Sequence, residues 1–594
     1  MLGAALRSTV LLACMTAWLM GQTGVASLST SSSVSSLAGS TNANNSFSST
    51  CRKLPQDGDW PSAQDWARLN QTVGGRLIAT VPVAHVCHDP TYNATACAWF
   101  KDNWLTVEAH VYYPAEILDP YFQGQYCEPF TPESKPCTLG NYAVYSINVT
   151  GVSDIQAGLA FATQHDVRLT IKNTGHDLLG KSTGRGALSL WTHNLKDMDF
   201  IDAYVGDVPY TGSAVRIGAG IMFNDILPVA AAQGKRVVSG TCGTVGAAGG
   251  YTAGGGHGSL TSLYGMAADS VLEWEIVTAS GVHLTVTPNQ HADLYWALSG
   301  GGAGTFAVVV SMTTRTYDDG PMQGAGFTVS NSNTTAFWNT VDLFHSSLAP
   351  VVDTGVTFTY FIIGTELIVF AAVIPGSEPA LVTSTLAPIV NSLAQAGVAV
   401  NITSSSFSSY YALYESYFVP TEESTAVGQI TGGRIIPREL LSPDSPSLSE
   451  ISAALEVFIN AGFYVACAAL NANSSRQAPF TSNAVFPVWR SALLTCIMVQ
   501  TWDYSIPWDE NLERQANLTN IYMPQLEAVT PGGGAYLNEA NFQEPNWQEV
   551  FYGDNYPRLR EVKQKYDPNE LFYARTAVGS EEWKENGEGR LCPV

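Results

Sequence analysis

The stretch that decides the fold is residues 239–258, SGTCGTVGAAGGYTAGGGHG, in which nine positions are glycine. Polar linkers rarely carry Cys, Val, Tyr and His at intervals, as this segment does. Glycine has no Cβ, so it lets the backbone approach a bound molecule closely. The segment therefore predicts a binding surface for a flat ligand, and a series of tight turns is the alternative.

Cys242 lies within this glycine-rich segment. The chain has ten cysteines, and Cys14 falls in a predicted signal peptide, so nine remain. An odd number in a secreted protein leaves one cysteine with a role other than an intrachain disulfide. We interpret Cys242 as bonded to a cofactor. A metal site with His176 or His257 is disfavoured, because the chain lacks the clustered spacing of metal ligands.

Two further glycine-containing loops lie upstream and downstream. KNTGHDLLG (172–180) follows a strand-like run, and WALSGGGAGTFAVVV (296–310) leads directly into another. Backbone N–H groups in such loops can bind phosphate oxygens. The first loop is neither G-x-G-x-x-G nor a Walker sequence. Taken alone, its His176 is typical of an ordinary hydrogen-bonded histidine.

The N-terminal segment has the layout of a secretory signal. Arg7 precedes an apolar run from Val10 to Met20, and small residues continue to Ala26. A membrane anchor is the alternative, but the run is shorter than the ~20 residues that span a bilayer. We predict a signal peptide at 1–26, a disordered leader at 27–50, and a secreted, extracellular protein without a membrane segment.

Composition and charge narrow the classes of partner. The formal charge is −23, which disfavours nucleic acid because an acidic surface repels phosphates. Only 13% of the residues are charged, as suits an extracellular glycoprotein. Sequons begin at Asn44, Asn70, Asn93, Asn148, Asn333, Asn401, Asn473 and Asn517. We predict N-glycans, no metal and a monomer.

Secretion makes disulfides the expectation for the other cysteines. A spacing of ten residues suggests the pairs Cys87–Cys97 and Cys127–Cys137. Their positions near the two ends of the folded part suggest the pair Cys51–Cys592. The last pair would join the two ends of the folded part. Cys467 and Cys496 are also expected in disulfides.

The first half of the folded part alternates strands and helices. NYAVYSINV and RLTIKNTGHD are typical of strands, and Ser153–His165 between them has helical spacing and is capped by its first residue. A second helix over Ile221–Gln233 ends at Gly234. VLEWEIVTASGVHLTVT predicts a hairpin that turns at Ser280 and Gly281.

Beyond residue 320 the glycine-rich loops stop. GVTFTYFIIGTELIVFAAVI (355–374) and ALEVFINAGFYVACAALNA (454–472) resemble long strands with helices between them. We predict an α+β protein: a two-lobed α/β domain over 51–320, and an α+β domain with a large antiparallel sheet over 321–530. The C-terminal segment, 531–594, returns to the first domain.

Four segments together carry a resemblance to a known family. IKNTGHDLLG, SGTCGTVGAAGGYTAGGGHG, WALSGGGAGTFAVVV and YLNEANFQEPNW…FYGDNYPRL…KYDPNELF occur in that order. The chain resembles the berberine-bridge-enzyme-like branch of the vanillyl-alcohol-oxidase flavoproteins, especially its fungal secreted members. The likeness is strong over about 130–320 and good over 530–575. It implies a PCMH-type FAD-binding domain and a substrate domain over the flavin ring.

The resemblance also implies FAD held by two covalent bonds. The histidine of the family's G-H-D loop bonds the flavin 8α-methyl carbon, and the cysteine of its C-x-T-V-G segment bonds C6. These residues here are His176 and Cys242. Further predicted cofactor-binding residues are Lys172, Asn173, Thr174, Gly175, Asp177, Gly240, Thr244, Val245, Gly246, Gly249, Gly250, Gly255, Gly256, Gly258, Asn538 and Asn555.

The C-terminal segment departs from the family pattern at one position that matters. Plant relatives read Y-x-N-Y where this chain has Tyr536-Leu537-Asn538-Glu539. A flavin oxidase needs a group that accepts the substrate hydroxyl proton as hydride leaves. We predict Glu539 as this catalytic base, with Tyr536 as the alternative; a surface carboxylate and a core tyrosine are their structural interpretations. His257 either borders the ring or starts a helix.

The preferred function is a secreted oxidase with bicovalent FAD. It would oxidise an alcohol or carbohydrate hydroxyl to a carbonyl and reduce O2 to H2O2, with a small alcohol, sugar or phenolic as substrate. One alternative is a dehydrogenase of the same fold that uses another acceptor. Another is a non-catalytic secreted glycoprotein.

Overall fold

The computed structural model describes residues 50–420, 427–473 and 482–594. The predicted signal peptide, nearly all of the predicted leader and the sequon at Asn44 lie outside the described residues. The α-helices are α1 Ala63–Thr72, α2 Ala94–Asn103, α3 Pro120–Gln123, α4 Val152–His165, α5 Phe223–Ala232, α6 Thr261–Tyr264, α7 Ala292–Leu298, α8 Thr334–Ser346, α9 Ala349–Val352, α10 Ala380–Gln395, α11 Tyr410–Tyr417, α12 Ser447–Asn460, α13 Trp508–Asn517, α14 Met523–Ala528, α15 Trp547–Tyr552 and α16 Tyr556–Tyr566.

The strands form sheets of four, five and seven strands and two short ribbons. They are β1 Leu77–Ala79, β2 Tyr145–Asn148, β3 Leu169–Lys172, β4 Leu188–Trp191, β5 Met198–Ile201, β6 Ala214–Gly218, β7 Lys235–Arg236, β8 Val271–Val277, β9 His283–Val286, β10 Val308–Arg315, β11 Tyr317–Asp318, β12 Met322–Ser330, β13 Thr357–Ile363, β14 Glu366–Pro375, β15 Thr403–Phe407, β16 Gln429–Pro437, β17 Tyr464–Ala469, β18 Ala492–Thr501, β19 Trp583–Glu585 and β20 Leu591–Pro593.

The first lobe is a four-stranded sheet in the order β1-β2-β4-β3, with β4 parallel to both of its neighbours. Helix α4 buries Ile155, Leu159 and Ala162. A Cβ at Gly158 would lie 2.5 Å from Leu190 Cδ2, so this glycine lets the helix approach β4 closely.

The predicted cap of α4 at Ser153 is wrong. The helix begins one residue earlier, at Val152, and its N-cap is Gly151. The Asp154 carboxylate instead accepts hydrogen bonds from the Thr150 amide at 2.9 Å and the Thr150 hydroxyl at 2.8 Å. An aspartate in the first turn thus stabilises the N-terminal end of the helix. The prediction of a serine N-cap did not include this interaction.

The second lobe is a five-stranded antiparallel sheet in the order β5-β6-β10-β8-β9. The predicted hairpin is confirmed: β8 pairs with β9, and Gly281 turns the chain with φ 79°. The second predicted helix is also confirmed as α5, and Gly234 follows it with φ 65°. Both turns use a left-handed backbone that glycine adopts without strain.

A seven-stranded antiparallel sheet follows, in the order β15-β12-β14-β13-β17-β18-β16. Its strands lie between Met322 and Thr501, within the region that we propose as the substrate domain, 321–530. The predicted antiparallel sheet is therefore confirmed.

The long strand expected over 454–472 is wrong in its first half. Residues up to Asn460 belong to α12, and only β17 is extended. Helix α12 buries Ile451, Leu455 and Phe458, which recur at intervals of four and three residues. That spacing is helical, but the β-branched residues obscure it.

The C-terminal segment contacts the first two lobes. Lys563 Nζ is buried and donates to the Thr305 carbonyl at 2.9 Å and to Asp567 Oδ2 at 2.6 Å. Asp567 also accepts the Leu571 and Phe572 amides, each at 2.9 Å. The bond to Thr305, together with the parallel β-bridge between Leu169 and Phe572, supports our proposal that 531–594 returns to the first domain.

Four disulfides stabilise the described residues. Three are the predicted pairs, Cys51–Cys592, Cys87–Cys97 and Cys127–Cys137. The fourth joins Cys467 to Cys496, which face each other across β17 and β18. Among the described residues, no helix is both long and apolar enough to cross a bilayer.

Buried histidine makes the stability of the seven-stranded region depend on pH. His345 is 0% exposed, and its Nε2 lies 2.8 Å from the Tyr360 hydroxyl. Burial lowers the pKa of His345 to about 3. In the unfolded chain the pKa of histidine is ~6.5, so between pH ~6.5 and 3 only the unfolded chain takes up this proton. The free energy of unfolding therefore falls as the pH drops through that range.

We expect His345→Gln to flatten that pH dependence. Between pH 7 and pH 5 the wild-type free energy of unfolding should fall by about 2 kcal/mol more than that of the variant. Denaturant titrations at the two pH values measure this difference. Tyr360→Phe is the matched control, because it keeps the buried histidine and should keep the dependence. Equal slopes for wild type and His345→Gln would contradict the prediction.

Candidate functional site

His176 and Cys242, 66 residues apart in the sequence, lie side by side. Cys242 Sγ is 3.9 Å from His176 Nε2. The Thr244 hydroxyl lies close to both atoms, 2.7 Å from His176 Nε2 and 3.6 Å from Cys242 Sγ. The tertiary structure therefore brings both predicted flavin-bonding residues to one point.

The loop after β3 has a backbone that requires glycine. Gly175 has φ +87°, and a Cβ there would lie 2.8 Å from the Glu116 carbonyl oxygen. Asp177 holds the exit of the loop, because its carboxylate accepts from the Leu179 amide at 3.2 Å and from the Ser182 amide and hydroxyl at 2.7 Å. His176 is held between these two anchored residues.

Asn173 joins this loop to the second lobe. Its Nδ2 donates to the Ala219 carbonyl at 2.7 Å. Its neighbour Thr174 is buried. Asn173 Oδ1 is buried and makes no hydrogen bond within the described residues. A buried acceptor of this kind needs a partner, which a bound molecule can supply.

Electrostatics keep His176 neutral. Burial, and secondly the charge of nearby Lys172, lower the pKa of His176 to about 3. Lys172 is itself 1% exposed and donates to the Tyr113 carbonyl at 2.8 Å. Burial lowers the pKa of Lys172 to about 7, against the opposing charge of Glu116. A neutral imidazole keeps a ring lone pair, which bonding to carbon requires.

The glycines of the opening segment form two groups. The first group packs against protein: a Cβ at Gly246 would clash with the Asn173 amide, and one at Gly258 with the Ser239 carbonyl. Gly240 is in the same group, because its Cβ would lie 3.2 Å from the Tyr251 ring. Val245 closes the turn after Cys242 by donating from its amide to the Cys242 carbonyl at 3.3 Å.

The second group faces open space. Gly249 and Gly250 lie in a π-helical turn, Ala247–Tyr251. No described atom lies within 4 Å of a Cβ built at Gly250, and only the Asn173 amide nitrogen, at 3.6 Å, does so at Gly249. Gly255 and Gly256, with φ +115° and +72°, then reverse the chain. The open turn fits a planar ring system such as that of FAD.

A second cluster lies at the end of the glycine-rich segment. Glu539 Oε2 is 3.1 Å from His257 Nε2, and the Glu539 side chain is 34% exposed. His257 Nδ1 is buried and has no hydrogen-bond partner within the described residues. The rings of Tyr536 and Trp489 lie 5.1 and 5.4 Å from His257. His257 starts no helix; it bonds to Glu539 instead.

Asn538 connects the two clusters. Its Nδ2 donates to the Gly250 carbonyl at 2.7 Å and lies 2.8 Å from the Tyr536 hydroxyl. Asn538 thus contacts the open glycine turn directly, and Glu539 is the next residue along the chain. Asn555 donates to the Ala484 and Val485 carbonyls at 3.1 and 3.3 Å, and its place among the cofactor-binding residues stays a prediction.

The two candidate bases differ in environment. Tyr536 is 3% exposed, and burial, followed by the charge of Glu539, raises the pKa of its phenol well above its usual value. A phenol that resists ionisation is a poor proton acceptor at neutral pH. Glu539 is partly accessible and is oriented by His257, so the geometry favours the carboxylate.

Sequence reasoning missed Trp489 and the pairing of His257 with Glu539. Trp489 follows Phe486-Pro487-Val488, where nothing in the pattern marks a site. His257 and Glu539 are 282 residues apart, so spacing could not connect them. In the described ranges, no group of three or more His, Cys, Asp or Glu side chains is placed to hold a metal ion.

Comparisons with known proteins identify the family of the chain. An FAD binding domain family model matches residues 145–287, and a berberine and berberine like model matches residues 535–579. The VAO-type flavoprotein oxidase VAO615 of Thermothelomyces thermophilus is 44% identical over 558 residues, which cover 92% of this chain and 96% of that protein. The bifunctional decalin synthase calF of Penicillium decumbens matches with the same identity and coverage.

Solved structures share the architecture. The VAO-type flavoprotein MtVAO615 from Myceliophthora thermophila C1 has a TM-score of 0.88 at 44% identity, over 92% of this chain and all of that one. The glucooligosaccharide oxidase of Acremonium strictum, described with a 6-S-cysteinyl, 8α-N1-histidyl FAD, has a TM-score of 0.59 at 18% identity. That match covers 74% of this chain and 92% of the other. At this identity the likeness concerns the fold alone.

Proposed function

This chain belongs to the VAO-type FAD-linked oxidoreductases, which have a PCMH-type FAD-binding fold, and on that premise we propose that it is a secreted oxidase with FAD bound through two covalent bonds. It oxidises an alcohol or carbohydrate hydroxyl to a carbonyl and passes the electrons to O2, which gives H2O2. The observation that carries the proposal is the 3.9 Å contact of Cys242 Sγ with His176 Nε2.

The residues present fit FAD at this place. Gly249 and Gly250 leave room for a planar ring. Asn173 Oδ1 and His257 Nδ1 are buried polar atoms that have no hydrogen-bond partner among the described residues. His176 and Cys242 would hold the ring covalently. Bound FAD supplies two-electron chemistry, while the protein supplies orientation and electrostatics.

Glu539 performs the proton transfer in this proposal. Its Oε2 accepts the hydroxyl proton of the substrate, and His257, 3.1 Å away, orients the carboxylate. Asn538 holds the segment against the Gly250 carbonyl, so the carboxylate keeps its place relative to the ring. Burial of Tyr536 makes this residue a packing partner of His257 rather than the base.

The substrate class is a small alcohol, sugar or phenolic. The VAO-type flavoprotein oxidase that is 44% identical to this chain supports O2 as the electron acceptor. Four disulfides support an extracellular location, where such substrates and O2 are available. N-glycans at exposed sequons and a monomeric state complete the proposal.

An H2O2-release screen over alcohols, sugars and phenolics tests this function. We expect a yellow protein that produces H2O2 with at least one member of the panel. Reduction by substrate followed by reoxidation in air over minutes would identify a dehydrogenase with another acceptor. Absence of absorbance in the flavin bands would identify a non-catalytic glycoprotein.

A further inference from the structure

One hydroxyl contacts both atoms at the centre of the site. Thr244 Oγ1 lies 2.7 Å from His176 Nε2 and 3.6 Å from Cys242 Sγ. Thr244 is 4% exposed, so water competes little for these contacts. His176 Nδ1, the other ring nitrogen, makes no hydrogen bond to a described residue.

A hydroxyl in this position can hydrogen-bond to either tautomer of the histidine, and the contact with Cys242 Sγ gives its hydrogen a second place to point. His176 is neutral, so one ring nitrogen carries a proton and the other a lone pair. When Nε2 keeps the proton it donates to Thr244 Oγ1, and the single hydroxyl hydrogen of Thr244 then points toward Cys242 Sγ. The lone pair is then on Nδ1, the nitrogen without a protein partner.

We propose that Thr244 is a positioning residue for covalent attachment of the cofactor. Its hydroxyl accepts the hydrogen bond of His176 Nε2–H, which leaves the lone pair on Nδ1, and donates a hydrogen bond to the Cys242 sulfur. As the bond from Nδ1 to carbon forms, the hydroxyl relays the Nε2 proton by releasing its own. This inference rests on the proposed function, because it concerns the two bonds proposed there.

The attachment step balances with O2 as the oxidant. A bond forms between His176 Nδ1 and the 8α-methyl carbon of FAD, and one C–H bond of the methyl group breaks. Two protons leave, one from the methyl group and one from Nε2 through Thr244. The electron pair of the C–H bond passes to the flavin and then to O2, which takes both protons and becomes H2O2.

Variants of Thr244 in a Cys242→Ala background test the proposal, because acid-stable flavin there is attached through His176. Thr244→Val removes the hydroxyl but keeps the side-chain shape, and Thr244→Ser keeps the hydroxyl. The readout is the fraction of total bound flavin that stays with the acid-precipitated protein. We expect at least a five-fold lower fraction with valine, and serine within two-fold of the parent.

The outcomes separate this role from the proposed function. Complete loss of flavin from the Cys242→Ala parent on precipitation would overturn the histidyl bond itself. Retention by the parent together with equal fractions in the valine and serine variants, whether both high or both low, would overturn the role of the hydroxyl. If the valine variant does not fold, Thr244→Ala replaces it, and the serine variant remains the rescue.

Discussion

Replacement of both His176 and Cys242 by alanine is expected to release all of the FAD when the protein is precipitated with acid, whereas each single replacement keeps it attached. Each side chain makes its own covalent bond in the proposed enzyme, so one bond suffices to retain the cofactor. The 3.9 Å between Cys242 Sγ and His176 Nε2 places both within reach of one flavin ring. Flavin absorbance in pellet and supernatant measures the distribution.

His193→Ala is the matched control for this experiment. His193 is also a buried histidine of the first lobe, and burial lowers its pKa to about 4. Its ring stacks on that of Trp191, with 5.6 Å between the ring centroids. This variant should keep all of its flavin in the pellet. Release of all FAD by either single variant would show that only one covalent bond exists.

Glu539→Gln should lower kcat/KM by about 10²–10³-fold, because an amide cannot accept the substrate proton. The side chain keeps its size and can still hydrogen-bond to His257, now 3.1 Å from the carboxylate, so the fold should persist. Steady-state H2O2 release, and the rate of flavin reduction in anaerobic stopped-flow, measure the effect. The amount of covalently bound flavin should stay unchanged.

A second His–Glu pair of the chain offers the control. Glu275 Oε1 lies 2.8 Å from His283 Nε2, and its side chain is 30% exposed, close to the 34% of Glu539. Glu275→Gln should leave kcat/KM within two-fold of wild type. A larger loss for Tyr536→Phe than for Glu539→Gln would instead assign the proton transfer to the phenol.

Local patterns were sufficient for much of the fold. The hairpin at Gly281, the end of α5 before Gly234 and the antiparallel sheet all follow from turn residues and strand periodicity. Prediction failed where two signals competed. The start of 454–472 contains the β-branched Val457 and Ile459, which favour a strand. Leu455 and Phe458 nevertheless recur at helical spacing, and both lie in one core with residues of the seven-stranded sheet.

The residues proposed to carry the chemistry could be identified from the sequence, but the side chains that they contact could not. Glycine spacing and the odd number of cysteines indicated Cys242, and the resemblance connected it with His176. Neither could indicate that the Thr244 hydroxyl touches both, nor that His257 bonds to Glu539.

By itself, therefore, the sequence determined the family, the cofactor-binding domain and the residue types that can bond a flavin, because these depend on motifs of a few adjacent residues. Only the tertiary structure decided which nitrogen of His176 faces Thr244, and that Tyr536 is buried with the pKa of its phenol raised. The physical reason is that tautomers and proton affinities depend on burial and on contacts between residues far apart in the chain. The chemistry proposed for the glycine-rich segment around Cys242 depends on side chains that folding brings into contact with it.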